Sequence, residues 1–267
     1  IKACAGAVAG DMGVINGVTY TVVDKSTLNT MFNNGDDITK VVTSLITDMA
    51  EMSNGGFNQP IGNWDVSNVT NMNGMFIGAT VFNQDISSWD VGNVTDMGSM
   101  FGDATAFNQP IGDWDVSNVT DMSQMFEGAA FNQPIDDWDV IRVTDMNQMF
   151  ASTTAFNQPI GDWDVSNVTD MIAMFFNTPF NQDISSWDVS RVTDMSLMFN
   201  GTTTFNQDIS YWNVSSVTNM NNMFYNANSF NQDITNWSVG LVIICTDFSL
   251  GAPLTQANTP NFTNCTP

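Results

Sequence analysis

The sequence predicts a repeat solenoid, leucine-rich-repeat-like and α/β in local structure, built from short parallel strands and short helical or 3-10 turns. Three observations predict it. The tripeptide Phe-Asn-Gln begins at Phe57, Phe82, Phe107, Phe131, Phe156, Phe180, Phe205 and Phe230, with spacings of 25, 25, 24, 25, 24, 25 and 25. All eight tryptophans occupy one repeat position, from Trp64 to Trp237. Fourteen of the eighteen methionines fall in M-x-x-M pairs, from Met72/Met75 to Met220/Met223. One such unit cannot bury its own apolar side, whereas stacked units share a continuous core.

The elements follow in chain order. Residues 1–31 read as an N-terminal cap. Residues 32–56 read as a degenerate first repeat, because Phe32-Asn33 lies 25 residues before Phe57 and Thr47-Asp48-Met49 through Met52 keep the T-D-M-x-x-M register. Residues 57–248 are the eight clear repeats, which makes about nine turns of 24 or 25 residues. Residues 249–267 read as a C-terminal cap.

Within each turn, F-N-Q-x-I is the strand expected to pair in parallel with its neighbours, giving a stack about 45 Å long. The segment V-T-x-M-x-x-M-F carries apolar residues at i, i+3, i+6 and i+7, nearer a helical period, and its Thr is placed to cap a short helix. The Asn and Gln after each Phe are expected to form amide ladders from turn to turn. The Trp and Met columns read as core.

Composition narrows the function. The net charge is −23, with no histidine and only Lys2, Lys25, Lys40, Arg142 and Arg191 as cations. Such a surface repels phosphate backbones, so the expectation is no nucleic acid. No apolar run is long enough for membrane insertion. The chain starts at Ile1 rather than Met, the expectation for a processed, secreted form. No catalytic residue stands out, because the acidic positions recur in every turn while a catalytic pair is singular. The expectation is that the chain is not an enzyme.

Three constellations carry the remaining chemistry. The first is the acidic column after Trp: Asp65, Asp90, Asp115, Asp139, Asp164 and Asp188, continued by Asn213 and Ser238, beside a second column in V-T-x-M. It reads as turn capping, with Ca²⁺ ligation as the alternative and no other cofactor expected. The second is a row of sequons at Asn68, Asn93, Asn118, Asn167 and Asn213, with others at Asn200, Asn236, Asn261 and Asn264. Arg142, Arg191 and Ser216 fill the position of Asn68, Asn93, Asn118 and Asn167 in other turns, so it faces solvent and admits glycans. The third is the cysteines. Cys245 stands at the first-Met position and Cys265 can loop back to it as a disulfide. Cys4 is left over, buried and free or intermolecular; paired with a neighbour's C-terminal cysteine it would make a head-to-tail polymer.

The unit F-N-Q-D-I-S-S-W-D-V-S-x-V-T-D-M-x-x-M-F, as in Phe180 to Phe199, resembles the repeats of the BspA-like leucine-rich-repeat surface proteins, the Mycoplasma-lipoprotein-type domain of unknown function. The resemblance spans about residues 32–248. Gly17 to Asp24 and Pro253 to Cys265 are similar to that family's end caps. It implies secretion or cell-surface location, adhesion or scaffold roles, and no catalytic residues. Ile1 is not a lipidated cysteine, so a lipid anchor is not implied. The partners expected are the chain itself, as a homopolymer, or other surface proteins and glycans. A carbohydrate-binding or Ca²⁺-dependent adhesin module is the alternative.

Overall fold

The N-terminal end of the chain holds its regular secondary structure. In the computed structural model, which describes residues 1–52 and 55–267, β1 (Met12–Ile15) pairs antiparallel with β2 (Val18–Val22). Asn16 and Gly17 join them with φ of 49° and 80°, the left-handed pair that matches the twist of a two-residue hairpin. The helix α1 (Lys25–Asn34) follows. Asp24 starts it by accepting from the Thr27 N–H, and Gly35, left-handed at φ 73°, ends it. Leu28 and Phe32, four residues apart, form its buried face. Then β3 (Val41–Val42) pairs in parallel with β2, giving the sheet order β1-β2-β3.

The tandem repeats stack on this end. Single-residue parallel bridges link Asp48, Asn71, Asp96, Asp121, Asp145, Asp170, Asp194, Asn219 and Ile244 in succession, so nine turns stand in register among the described residues. Phe32 of α1 lies 4.4 Å from the ring of Phe57, and Lys25 Nζ lies 2.8 Å from Asp48, so the helix lies over the first turn. The expected start of the first repeat at residue 32 therefore falls inside a helix.

Eight side chains per turn point inward. In one turn Phe107, Ile111, Trp114, Val116, Val119, Met122, Met125 and Phe126 are all at most 4% exposed. The two Phe columns interleave, with Phe101 and Phe107 stacked at 3.8 Å and Phe126 and Phe131 at 4.1 Å. Each Trp indole N–H donates to the Ile carbonyl of the turn before, as Trp138 does to Ile111 at 3.2 Å. A buried indole thus keeps its one donor satisfied while binding two turns together.

Two local expectations are corrected. F-N-Q-x-I forms no strand. Instead of a backbone ladder, the Asn side chain takes over. Asn157 Oδ1 accepts the Asn181 N–H at 2.9 Å, and Gln182 Nε2 donates to the Asn157 carbonyl at 3.0 Å. Four turns also carry Pro at the fourth position, which has no N–H to give a ladder. The expected amide ladder is therefore present, but with backbone groups as half of its partners.

V-T-x-M-x-x-M-F is not helical either. The third residue of M-x-x-M is left-handed in turn after turn: Ser99, Gln124, Gln148, Ala173, Leu197 and Asn222 have φ between 51° and 61°. A second left-handed residue follows four positions on, as at Asp103, Ser152, Asn177 and Asn226. This alternation breaks any helix and splits the N–H groups into two sets. Met122, Gln124, Phe126 and Gly128 donate to the next turn, to the carbonyls of Asp145, Asn147, Met149 and Ala151. Met125, Glu127 and Ala129 donate back within their own turn. A left-handed residue costs roughly 1–2 kcal/mol for an L-amino acid. Four inter-turn hydrogen bonds per step, at a net of about 1 kcal/mol each, offset that cost. The Thr of V-T caps nothing; its hydroxyl donates to the Thr carbonyl one turn back, as Thr95 does to Thr70 at 3.1 Å.

Candidate functional site

The acidic column after Trp is built by the turn that follows each ring. Oδ1 of Asp65, Asp90, Asp115, Asp139, Asp164 and Asp188 accepts the N–H two residues on, at 3.0 to 3.4 Å. Asn213 makes the same bond to Ser215 at 3.2 Å, so the site needs an oxygen and not a charge. Hydrogen bonds from Ser117 and Ser190 hold the carboxyls of Asp115 and Asp188 below the usual range. Among the described residues, no three His, Cys, Asp or Glu side chains converge as a metal would require.

Asp65 differs from the rest of its column. The segment Ile1–Ala3 lies across it, with Lys2 Nζ 3.8 Å from its Oδ1 and 3.2 Å from Ser67 Oγ. The Ala3 N–H donates to Ser44 Oγ at 2.8 Å. Asp65 is thereby buried, and its Oδ2 has no partner. Sequence reasoning missed this strap, because nothing in the repeat pattern speaks for residues outside it.

The second column lies on the bridged residues. Asp96, Asp121, Asp145, Asp170 and Asp194 cap their own turns in the same way, at 2.8 to 2.9 Å. These carboxylates sit deeper. Burial, and then the neighbouring carboxylates, push Asp145 and Asp170 above the usual range.

The sequon column is half engaged. Nδ2 of Asn68, Asn93, Asn118 and Asn167 donates to a carbonyl of the previous turn at 2.7 to 2.8 Å. Arg142 and Arg191 continue the column by donating to Oδ1 of Asn118 and Asn167 at 2.9 and 2.7 Å. The column faces solvent, as its Arg residues predict, yet its amides also hold the stack. A glycan on Nδ2 must share that nitrogen with the bond to the previous turn. Asn213, Asn236 and Asn261 are exposed, Asn200 is half-buried, and Asn264 donates to the Gly240 carbonyl at 2.7 Å.

Cys245 and Cys265 form a disulfide with Cα atoms 5.9 Å apart. Cys4 is exposed and unbonded. With both C-terminal cysteines taken by each other, a head-to-tail link through Cys4 has no acceptor.

The family described as "Mycoplasma protein of unknown function, DUF285" matches residues 24–130, 110–179 and 162–262. The chain belongs to the DUF285 family. Three overlapping matches mark a tandem repeat, in line with the nine bridged turns of this DUF285 chain. No curated protein and no solved structure matches it. Among the described residues, no helix is long and apolar enough to cross a membrane.

Proposed function

We propose that this DUF285 chain is a secreted, non-catalytic structural or adhesion protein of the BspA-like kind. It works through the outer face of a leucine-rich-repeat-like solenoid. One observation carries this reading. Hydrogen-bonded columns of Asp, Asn and Thr recur on most turns, so the molecule offers a long repeated face. Repetition of one weak contact along a rigid rod yields avidity, the physical basis of adhesion and scaffolding. Each carboxylate in these columns spends an oxygen on its own turn, which suits a structural role and leaves no singular acid–base pair. The disulfide and the exposed sequons suit an extracellular setting.

Immunogold labelling of intact source cells with antibody to the purified chain tests the location. Label on the outer surface supports the reading, while label confined to the interior sinks it. A variant lacking residues 107–155, two whole repeats, tests the repeated face. Solid-phase binding to isolated cell envelopes should fall by more than the lost fraction of surface, as avidity requires. Equal binding by the short and full chains would place the contact in a single site.

A further inference from the structure

The large apolar side chains that the fold leaves exposed gather at its two ends. Val8, Met12, Val14 and Ile15 lie in the first fifteen residues, with Met12 74% and Val14 69% exposed. Leu241, Ile243, Ile244 and Leu250 lie in the last turn, with Ile243 64% exposed. Only Leu45, Ile77, Val81 and Tyr211 fall elsewhere, and between Phe82 and Ser210 there is none among the described residues.

Charge is arranged the opposite way. Residues 1–23 hold one lysine and one aspartate, and residues 248–267 hold no charged residue. The whole net charge of −23 therefore lies on residues 24–247. Flanks of one sign repel side-by-side contact, while neutral apolar ends do not.

Backbone groups are open at the same two places. β1 is the outer strand of the sheet, and among the described residues no strand lies beside its outer edge. In interior turns a row of N–H groups donates to the next turn; the last to do so are Met220, Asn222, Phe224 and Asn226. The matching N–H groups of Asp247, Ser249 and Gly251 have no acceptor among the described residues. The polar motif of the preceding turn, Ser216-Val217-Thr218-Asn219, becomes Leu241-Val242-Ile243-Ile244. An apolar edge with unpaired backbone groups is the surface on which strands add.

We propose that copies of this chain associate end to end, the β1 edge of one against the last turn of the next. The contact uses two different surfaces, so it extends into open strings rather than closing as a pair. It is non-covalent, because Cys245 and Cys265 are bonded to each other. It rests on the structural reading above and gives that reading its partner, a second copy.

The test is light scattering and sedimentation of the full chain over a wide concentration range, with two variants. One carries Leu241→Ser, Ile243→Thr and Ile244→Asn, which restores the residues of the preceding turn. The other carries Met12→Thr and Val14→Thr, two exposed positions on β1. Circular dichroism melts confirm folding, and Val14→Lys alone serves if the double β1 variant does not fold. The wild type should gain mass with concentration, and more readily as salt screens the flanks. Each variant should associate about tenfold more weakly or worse. Mixed together, the two variants should form one-to-one pairs and stop, since each keeps one intact end. A wild type that stays monomeric overturns the proposal, as does association that neither variant weakens, or variants that do not pair when mixed. A monomer that still labels the cell surface loses only this inference and leaves the structural reading standing.

Discussion

An interior turn and the last turn share a core and differ at their edges. The turn from Phe156 buries Phe156, Ile160, Trp163, Val165, Val168, Met171, Met174 and Phe175. The turn from Phe230 buries Phe230, Ile234, Trp237, Val239, Val242, Cys245 and Phe248 in the matching places. Both hold left-handed residues at the same two positions, Ala173 and Asn177 against Asp247 and Gly251. What the last turn lacks is a successor. A cysteine bonded to Cys265 replaces the first Met, the Thr-Asp pair becomes Ile243-Ile244, and the N–H groups that would meet a next turn have no acceptor among the described residues. A repeat is stabilised by neighbours on both sides, so an end must find a substitute for one of them.

The largest expected effect tests that dependence. Trp138→Ala removes a 3% exposed ring and its bond to Ile111, and should cost about 3–5 kcal/mol. Trp237→Ala should cost about half of that, since the ring of Trp163 packs on Trp138 from the following turn and no tryptophan follows Trp237. Chemical denaturation of both variants checks the ratio, and equal losses would break the comparison. Next comes the disulfide. Replacing Cys245 and Cys265 with Ser should lower stability by about 3 kcal/mol. Hydrogen exchange should show the loss concentrated in the last turn, with Phe150 to Phe175 little changed. Uniform deprotection would mean that the stack melts as one unit.

A smaller effect is expected at Asn157→Ala. It removes the acceptor of the exposed Asn181 N–H, which water then takes, for about 0.5–1 kcal/mol by thermal melt. The smallest effect has the opposite sign. Asp170→Asn keeps the cap that Asn71 and Asn219 already make at the same position, and removes a carboxylate crowded by Asp145 and Asp194. It should raise the melting temperature by about 2 °C at neutral pH. The sign follows from the raised carboxyl. Its charged form is disfavoured in the fold, so the penalty sets in as pH rises above the unfolded value of 3.8 and is complete above the raised folded value. The benefit of Asn should therefore vanish below that window. Asp115 and Asp188, whose carboxyls are lowered by Ser117 and Ser190, stabilise above 3.8 and lose that contribution as pH falls through their lowered values.

The candidate surface was legible in part. Arg142 and Arg191 showed in the sequence that the sequon column faces water, and the Asp column read as turn capping. Neither fact revealed that Asn118 and Asn167 also bond the turn behind them. That bond depends on which carbonyl lies 2.8 Å away, and only the stacking distance decides it. The strap of Lys2 over Asp65 was equally unreadable, because a segment outside the repeat has no register to predict its place.

The sequence by itself determined the repeat, its length, its inward-facing residues and the cysteine that replaces Met in its last turn. Periodicity and apolar pattern are local properties that survive translation from turn to turn. Only the tertiary structure decided which backbone stretch carries the ladder. F-N-Q-x-I looks like a strand and V-T-x-M-x-x-M-F like a helix when each is read alone. Stacking reverses both, because every turn must offer N–H groups to one neighbour and carbonyls to the other. The Asn side chain satisfies the first stretch, and alternating left-handed residues, unfavourable in isolation, satisfy the second.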